Sequence, residues 1–572
     1  MSTLHYRFWP RGYPHTLEVP ATSLYYNLEA AAMRYPDKAA IVFYDTIVTY
    51  AELKREVDRL AGFLQQRMGI GRGDRVLLMS QNCPQFVMAY YAILRADAVV
   101  VPVNAMSTAR ELAHYASDSG ASAAIVAQEL CKAVAPCMGG DGLRHALVLC
   151  YADYLRQPTG MSVPEVLLQP QGPPEGDGWL RWDQALAQDC APAPHLAGKD
   201  DLAVLPYTSG TTGMPKGCMH SHRSLMAVLA ATQVWRQLSP TSVLLAVAPS
   251  FHLLGMQNGM NLPILLGGTA LLLTRWDRGN AAYLIARYRA TVWAAPPAML
   301  LDFFANPDID RYDLSSLALI SGGGAAMPEA VAGMLREKFG LEYIEAYGMT
   351  ETASGTHMNP LHRPKRQCLG MPVFGIDSRV VDLATMAELP AGEVGEIITH
   401  GPQVMEGYWN NEAANHQAFV ELEGKRFLRT GDLGYVDEDG YFFMCDRLKR
   451  MINVSGYKVW PAEVENTMYS HPAVHEACVV AVQDARRGEA VKAILVIKPD
   501  RQGITEADII AWCREQMAAY KVPCAVEFVA ALPKSSTGKI LWRELQEKER
   551  LAIKPGGSGT YANANCDAAA HG

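Results

Sequence analysis

Several protein classes are disfavoured by what the sequence lacks. Its twelve cysteines form no C-x-x-C pair, and no histidines cluster at the spacing of a metal site. This pattern is typical of free thiols in a reducing compartment rather than of a disulfide scaffold or a zinc domain. The net charge of −8 provides no broad basic surface for nucleic acid.

Long apolar segments are also missing. The first twenty residues contain no hydrophobic core of a signal peptide, and the most apolar run, residues 262–273, is interrupted by Pro263. That run is too short to cross a bilayer. We therefore expect a cytoplasmic protein without a transmembrane segment or a nucleic-acid partner, whereas peripheral contact with a membrane stays open.

Helical and strand patterns alternate along the sequence. Its length of 572 residues predicts more than one domain. Apolar residues repeat at helical spacing from Tyr50 to Met68, and Arg75–Met79 has the length and composition of a buried strand. Thr108–Glu111 has the sequence of a helix capping box. Strands that alternate with helices predict βαβ units, so we expect an α/β fold with a largely parallel sheet.

A segment rich in glycine, serine and threonine follows the strand-like run Asp201–Pro206 and ends at Lys216-Gly217. It reads Tyr207-Thr208-Ser209-Gly210-Thr211-Thr212-Gly213-Met214-Pro215-Lys216-Gly217. Glycines let the backbone approach a ligand, successive N–H groups can bind an anion, and the lysine adds a positive charge. The segment therefore predicts a polyphosphate site, although its spacing differs from that of the P-loop. A flexible surface turn is the alternative interpretation.

This loop resembles the phosphate loop of the adenylate-forming (AMP-binding) enzymes, which include acyl-CoA synthetases, luciferases and the adenylation domains of peptide synthetases. Four further blocks of that family occur in the family's order: Glu345–Glu351, Thr430–Asp432, Asp446–Lys449 with Ser455–Lys458, and Pro533–Lys534 with Thr537–Ile540. Five ordered blocks are a specific signal, and the resemblance covers about residues 20–550.

The resemblance implies a two-part architecture. We expect a large N-terminal domain with several subdomains and parallel sheets, then a small, mobile α+β domain. The boundaries implied are 1–445 for the large domain, 446–552 for the small one, and 553–572 for a disordered tail.

A nucleotide site with ATP and Mg²⁺ is implied as well. Tyr347 would stack on adenine, Asp432 would accept both ribose hydroxyls, and Glu351 and Thr208 would hold Mg²⁺ beside the phosphates. The residues assigned to ATP and AMP are Thr208, Ser209, Gly210, Thr211, Thr212, Gly213, Lys216, Gly323, Glu345, Ala346, Tyr347, Gly348, Thr350, Asp432, Arg447 and Lys539.

The chemistry implied by the resemblance runs in two steps. Lys539, from the small domain, would bridge the carboxylate and the α-phosphate during adenylation, with Lys216, Glu351 and His252 as further catalytic residues. The small domain would then rotate about a hinge at Lys449 for thioester formation. The residues assigned to CoA are Ser455, Gly456, Tyr457 and Lys458.

The acid substrate is indicated by residues 248–256, which line the acyl pocket in the family. Amino-acid-activating relatives carry an aspartate after the phenylalanine, but here Phe251 is followed by His252, and a buried ammonium without a carboxylate is costly. His252 resembles the family's residue beside the substrate carboxylate, and a buried core histidine is the alternative. With Gly323, Met256 completes the assigned pocket; it stands where some fatty-acyl relatives have a gating tryptophan.

We therefore predict an acid–thiol ligase, an AMP-forming acyl-CoA synthetase that converts a carboxylic acid to acyl-AMP and then to the CoA thioester. The apolar run Leu253–Met256 favours a medium- or long-chain fatty acid. An aryl or branched acid is the nearest alternative, and a luciferase-like oxygenase has the same blocks. A non-catalytic nucleotide sensor is the alternative from another class. A homodimer is left open.

Overall fold

The computed structural model describes residues 4–139, 142–169, 172–208, 214–323, 327, 329–455, 457–484, 487–501, 503–535 and 539–552. Its contacts divide the chain into two compact units: residues 1–377 with 399–428, and residues 378–398 with 429–572. The predicted boundary at residue 446 stays a prediction. Among the described residues, no helix is both long and apolar enough to cross a membrane.

The first unit is built on two sheets whose inner strands are parallel. One sheet has nine strands, in the order Met371–Pro372, Ser354–Met358, Tyr343–Met349, Leu319–Gly322, Val292–Ala294, Val243–Ala246, Thr269–Leu272, Ala39–Phe43 and Thr46–Thr49. The six strands from Tyr343–Met349 to Ala39–Phe43 are parallel neighbours, and both ends of the sheet are antiparallel.

The second sheet of this unit has seven strands, in the order His220–Ser221, Leu202–Val204, Val99–Pro102, Arg75–Met79, Ala123–Ala127, His145–Leu149 and Trp179–Arg181. Only the pairing of the first two of these is antiparallel. Most of these strands are buried and rich in valine, leucine, isoleucine and alanine, as expected for parallel sheets covered on both faces, whereas the edge strand Trp179–Arg181 is partly exposed.

Helices cover these sheets and supply much of the core. The α-helices of the first unit are Tyr25–Arg34, Tyr50–Arg67, Pro84–Arg95, Ala109–Ser119, Cys131–Val134, Glu165–Leu168, Trp182–Ala187, His222–Trp235, Leu253–Gly255, Leu262–Leu266, Arg278–Tyr288, Pro297–Phe304, Glu329–Phe339 and Glu412–Ala418, with a π-helix at Met256–Asn261. Thr108 caps the helix Ala109–Ser119 in a complete capping box with Glu111. The predicted helix at Tyr50–Met68 is confirmed, one residue shorter.

The boundary between the two units falls within the strand Lys425–Val436. Its first residues pair antiparallel with Phe419–Leu422 in the first unit. Its later residues pair antiparallel with Phe442–Arg447 in the second unit. The turn between these last two strands is closed by the Asp437 carboxylate, which accepts hydrogen bonds from the backbone N–H groups of Asp439 and Tyr441, as a hairpin turn requires.

The second unit contains a further five-stranded sheet. Its strands are Tyr457–Val459, Ile452–Val454, Gly488–Ile497 and Val474–Asp484 in order, with Ala525–Phe528 paired in parallel to Gly488–Ile497. Among the described residues of this unit, the α-helices are Pro461–Tyr469, Glu506–Gln516 and Trp542–Ala552. Mixed strands and helices confirm the predicted α/β fold with a smaller α+β part, and the predicted tail at 553–572 lies outside the described residues.

Candidate active site

The two ends of the predicted phosphate loop lie side by side. Tyr207–Thr208 pairs antiparallel with Lys216–Gly217, so that Thr208 and Lys216 are direct partners. The Thr208 hydroxyl also donates a long hydrogen bond, 3.5 Å, to the Lys216 carbonyl. The residues between them that carry predicted contacts, Ser209, Gly210, Thr211, Thr212 and Gly213, lie outside the described residues.

A buried tyrosine connects Lys216 to Glu351. The Nζ atom of Lys216 lies 4.1 Å from the centroid of the Tyr408 ring. The Tyr408 hydroxyl donates a 2.9 Å hydrogen bond to Oε1 of Glu351. Burial and then the negative charge of Glu351 raise the pKa of the Tyr408 phenol well above its usual value. One aromatic side chain thus contacts a cation through its face and a carboxylate through its hydroxyl.

Backbone pairing holds Tyr408 against the phosphate-loop strand. The N–H of Trp409 donates to the Gly217 carbonyl at 2.8 Å, and the N–H of Met219 donates to the Gly407 carbonyl at 2.9 Å. Trp409 is fixed in turn through its indole N–H, which donates to the Asp118 carbonyl at 2.9 Å. The position of Tyr408 is therefore set by main-chain hydrogen bonds on both sides.

Two histidines after the loop are buried parts of the framework. The ring of His220 contacts the Thr350 carbonyl through Nε2 at 2.7 Å, and Nδ1 of His222 accepts a 3.1 Å hydrogen bond from the N–H of Leu24. Burial lowers the pKa of both rings to about 4, so both are neutral at pH 7. His222 begins the helix His222–Trp235, while His220 links the loop strand to the turn that carries Glu351.

Residues 345–349 of the block Glu345–Glu351 lie on the strand Tyr343–Met349, and its last two residues lie in a short 3₁₀ helix. A Cβ atom on Gly348 would lie 1.6 Å from the Ser354 carbonyl oxygen, and one on Gly323 would lie 2.1 Å from that of Ala346. Both glycines are therefore required by the approach of neighbouring backbone, whatever ligand binds nearby.

Side chains of this strand organise the segments around it. The Glu345 carboxylate accepts 2.9 Å hydrogen bonds from the N–H groups of Met327 and Cys368, and burial raises its pKa. Tyr347 is 8% exposed, and its ring packs edge-on against that of His357 at 5.5 Å. Burial lowers the pKa of His357 to about 3, so Tyr347 packs against a neutral imidazole.

The predicted acyl segment forms a broken helix. His252 precedes the single turn Leu253–Gly255, which continues into the π-helix Met256–Asn261. Wide π turns inside helices are frequent at functional sites. Burial lowers the pKa of His252 to about 4, so its ring is neutral at pH 7 and can donate to a carboxylate without forming an ion pair. Met256 is fully buried in the core.

In the second unit, three predicted nucleotide residues lie together. The buried carboxylate of Asp432 has one oxygen 3.0 Å from Nε of Arg447, on paired strands. Arg447, followed by burial, lowers the pKa of Lys539 to about 8, and the charge of Asp432 opposes that shift. Lys539 is placed by a closed turn, because its carbonyl accepts from the Ser535 N–H at 2.8 Å and its N–H donates to the Ser535 hydroxyl at 3.2 Å.

The predicted hinge lies in a short 3₁₀ helix, Leu448–Arg450, and the Lys449 side chain lies outside what the structure describes. Arg450 is not a solvated basic residue: its side chain is 12% exposed and pairs with Glu465 and, at 3.9 Å, with Asp446. The Asp446 carboxylate also accepts from the Ala462 N–H at 2.7 Å, and burial raises its pKa. Lys449 is thus flanked by a residue anchored in the second unit.

Replacing Arg450 by methionine is expected to destabilise the second unit by about 3–5 kcal/mol, because it leaves the carboxylates of Glu465 and Asp446 buried without a cation. Hydrogen exchange of the strand Ile452–Val454 should report the loss locally. Arg501→Met removes an exposed pair at 3.8 Å and should cost less than about 1 kcal/mol. Equal exchange in the two variants would contradict the role of Arg450.

The residues assigned to CoA lie at the tip of a hairpin. Ser455 has a positive φ of 52° and donates its N–H to the Arg487 carbonyl, while Tyr457 and Lys458 belong to the exposed start of the strand Tyr457–Val459. Tyr457 is 60% exposed and stacks on Tyr520 with ring centroids 4.9 Å apart. Gly456 lies outside the described residues.

The donor set in the first unit fits Mg²⁺ rather than a protein-caged metal. Among the described residues, no group of three or more histidine, cysteine or acidic side chains could hold a metal ion. Glu351 offers one carboxylate, and Thr208 offers a hydroxyl next to Lys216. Mg²⁺ is commonly bound by one or two protein oxygens together with phosphate oxygens and water, so these residues suffice only when a polyphosphate is present.

Tyr408 is the residue that sequence reasoning missed. It lies between the blocks Glu345–Glu351 and Thr430–Asp432, in a glycine–tyrosine–tryptophan run that reads as ordinary core. The contacts of Tyr408 with Lys216 and Glu351 depend on the backbone hydrogen bond between its neighbour Trp409 and Gly217. A single sequence gives no signal for that long-range pairing.

The chain is similar to known proteins along most of its length. The family model described as AMP-binding enzyme matches residues 28–409, and the model of the AMP-binding enzyme C-terminal domain matches residues 463–539. A Bacillus subtilis (strain 168) protein named long-chain-fatty-acid–CoA ligase is 34% identical over 549 residues, covering 95% of this chain and 97% of that protein.

Two further proteins are similar to this chain. An Amycolatopsis protein named feruloyl-CoA synthase is 36% identical over 518 residues, covering 90% of this chain and 96% of its own length. The crystal structure of ATP-bound MatB from Rhodopseudomonas palustris is similar with a TM-score of 0.82 and 27% identity, covering 94% of this chain and all of that one.

Proposed function

Because the chain belongs to the AMP-binding enzyme family and is an acyl-CoA ligase of the adenylate-forming type, we propose that its acid substrate is a medium- or long-chain fatty acid. The observation that carries this proposal is the apolar acyl segment, in which His252 is followed by Leu253 and Leu254 and no carboxylate is available for an ammonium. The fatty-acid ligase name of a relative 34% identical supports it. An aryl acid is the second candidate, which the feruloyl-CoA synthase relative favours.

In the first step, an oxygen of the substrate carboxylate attacks the α-phosphorus of ATP. The new O–P bond gives acyl-AMP, and the bond to the β-phosphate breaks so that pyrophosphate leaves with the electron pair. Lys216 contributes positive charge to the phosphates, and Glu351 with Thr208 would hold Mg²⁺, which supplies further neutralisation when bound. The neutral ring of His252 donates a hydrogen bond to the substrate carboxylate. Because the ring carries no charge, it forms no ion pair that would make the carboxylate a weaker nucleophile.

Tyr347 is proposed to orient the adenine of the nucleotide, and the pair Asp432–Arg447 its ribose and phosphate. Tyr347 presents its ring to adenine, supported from behind by His357. Asp432 accepts the ribose hydroxyls and Arg447 contacts the ribose or phosphate, and their mutual contact of 3.0 Å holds both side chains in place beforehand. Lys539 stabilises the charge that develops on the α-phosphate.

In the second step, the thiolate of CoA attacks the acyl carbonyl, the bond to the phosphate oxygen breaks, and AMP leaves. The exposed hairpin of Ser455, Tyr457 and Lys458 would contact CoA, with Lys458 suited to a phosphate and Tyr457 to the pantetheine. Lys449 as the hinge between the two steps stays a prediction.

The test is AMP release from MgATP and CoA across a panel of acids. Short, medium and long fatty acids, benzoate and a cinnamate form the panel, and amino acids are the negative controls. A preference for one range of fatty-acid chain lengths is expected. Turnover of the cinnamate or benzoate above every fatty acid would replace the proposal with the aryl-acid candidate.

A further inference from the structure

Residues 4–17, which we call the N-terminal segment, form a compact turn. The segment begins with the 3₁₀ helix Leu4–Phe8 and is closed by a 3.1 Å hydrogen bond from the indole N–H of Trp9 to the Pro14 carbonyl. It lies before residue 28, where the match to the AMP-binding enzyme model begins, and it contains none of the motifs assigned to the site. Its contacts are nevertheless with elements of that site.

Trp9 is buried in an aromatic cluster with Trp235 and Phe374. It is 7% exposed, and its ring packs edge-on against the other two, with centroids 4.8 Å from Trp235 and 5.4 Å from Phe374. Met358 belongs to the same core cluster, and Ala346 packs against it. Aromatic rings in such edge-to-face contacts fill a large volume with a defined geometry, so a smaller side chain does not replace them.

One side of the aromatic cluster belongs to the helix that follows the phosphate loop. Trp235 is the last residue of the helix His222–Trp235, and its indole N–H donates at 3.0 Å to the Asn359 carbonyl. The backbone N–H of Asn359 donates in turn at 3.0 Å to the Glu345 carbonyl. Two consecutive hydrogen bonds therefore connect the end of this helix to the strand Tyr343–Met349.

The other side of the cluster is the back of the hairpin that carries Tyr347. Ala346 is paired across the hairpin with Met358, and Tyr347 with His357. Successive side chains of a strand point to opposite faces. Because Ala346 and Met358 face the aromatic cluster, Tyr347 faces the opposite side, where its ring packs against that of His357. The cluster thus packs behind the strand from which Tyr347 is proposed to contact adenine.

We propose that Trp9 is a positioning residue for ATP, which fixes the adenine-binding strand relative to the helix that follows the phosphate loop. This inference rests on the proposed nucleotide site and adds to it a residue outside every motif. Trp9 acts through Trp235 and Ala346 rather than by contact with the nucleotide. Because protein interiors are close-packed, loss of its ring lets the strand shift, and small displacements of binding groups far from the chemistry are costly.

Trp9→Leu is expected to raise the KM for ATP about 10-fold, while kcat at saturating ATP and the KM for CoA stay within about twofold of the wild type. AMP formation with the best fatty acid of the panel measures all three. A merely destabilised fold would instead lower the active fraction, and with it kcat, at an unchanged KM. In ATP–pyrophosphate exchange the KM for pyrophosphate should also stay unchanged, because pyrophosphate has no adenine to place.

Trp182→Leu is the matched control for this experiment. Trp182 is also a buried tryptophan of the first unit, 2% exposed, and it begins the helix Trp182–Ala187, which has no proposed part in the site. Both substitutions remove a buried indole, so both should lower the Tm. Only Trp9→Leu should change the KM for ATP.

Two milder variants keep the test decisive should Trp9→Leu not fold. Trp9→Phe keeps a ring against Trp235 and loses only the hydrogen bond to Pro14, so its KM for ATP should lie nearer to that of the wild type. Tyr13 lies at the edge of the same cluster, with its ring centroid 6.3 Å from that of Trp235. Tyr13→Leu should therefore raise the KM for ATP less than Trp9→Leu does, with kcat again unchanged.

Binding of AMP gives a readout that does not depend on turnover. At one fixed concentration, AMP should raise the Tm of the wild type and of Trp182→Leu equally, and that of Trp9→Leu and Tyr13→Leu by less. A lowered Tm with an unchanged KM for ATP in both of these variants would show that the segment only stabilises the fold, and would overturn the proposal. Equal increases in the KM for ATP and for CoA would also overturn it. Silence of the wild type toward every acid would contradict the proposed substrate class instead, and the AMP-induced Tm shifts would still decide the role of Trp9.

Discussion

Lys539→Ala is expected to abolish the release of pyrophosphate from MgATP while largely sparing the formation of acyl-CoA from a synthetic acyl-AMP. The ammonium is proposed to stabilise charge on the α-phosphate during adenylation only, and removal of one such donor costs about 100-fold or more. The side chain is placed next to Arg447 and Asp432, the residues proposed to hold the nucleotide, by the closed turn from Ser535. ATP–pyrophosphate exchange measures the first step, and thioester formation from acyl-AMP measures the second.

Lys534→Ala is the matched control for this experiment. It removes an ammonium from the same turn, but Lys534 pairs with Glu476 and its side chain is 37% exposed. Both half-reactions should therefore stay within about twofold of the wild type, as for most exposed ion pairs. If Lys539→Ala slows the two half-reactions equally, the assignment of Lys539 to adenylation is wrong.

The same lysine predicts a pH dependence. The pKa of Lys539 is lowered to about 8, first by Arg447, so the active ammonium is present below that pH and is lost as the pH rises through it. The kcat/KM for ATP in the exchange assay reports the free enzyme and should fall above pH 8. Thioester formation from acyl-AMP should show no matching fall, and Arg447→Met should move the decline to higher pH. A decline at the same pH in Arg447→Met would contradict this cause.

The fold was predictable where burial alone decides secondary structure. The helix at Tyr50–Arg67 and the strand Arg75–Met79 follow from apolar spacing, and the capping box at Thr108 was read directly from its residue types. The strand Tyr343–Met349 is less evident from local sequence, because it contains Glu345 and Gly348, which are depleted in strands. Backbone pairing with Ser354–Met358, a long-range interaction, overrides that local preference.

From the sequence, the candidate site could be predicted only as a set of separate motifs, without the contacts that join them. Glycine-rich and charged motifs named Lys216 and Glu351, but the contact that joins them belongs to Tyr408, which no motif marks. Local sequence identifies candidate ligand-binding motifs, whereas the burial of a side chain and the residues that it contacts can be read only from the tertiary structure.

Tyr408→Phe is expected to raise the concentration of Mg²⁺ needed for adenylation, with a loss of about 10- to 100-fold in kcat/KM for MgATP at low Mg²⁺. The hydroxyl holds Oε1 of Glu351 at 2.9 Å and so fixes the direction of the second carboxylate oxygen. Without that hydrogen bond the carboxylate can rotate, although its charge remains. Titration of pyrophosphate exchange with Mg²⁺ measures the effect, and the binding of AMP without Mg²⁺ should be unchanged. Tyr408→Leu should lose more, since it also removes the ring that contacts Lys216.

Tyr207→Phe separates this effect from simple loss of packing. Tyr207 is a partly buried tyrosine beside the phosphate loop, and its hydroxyl donates a 2.6 Å hydrogen bond to the Asp118 carboxylate, which has no proposed contact with phosphates. Both variants lose one hydrogen bond between a phenol and a carboxylate, so both should lower the free energy of unfolding by similar amounts, about 1.5–3 kcal/mol. Only Tyr408→Phe should change the Mg²⁺ requirement. If both variants lower the free energy of unfolding equally and neither changes the Mg²⁺ requirement, Tyr408 supports the fold and does not orient Glu351.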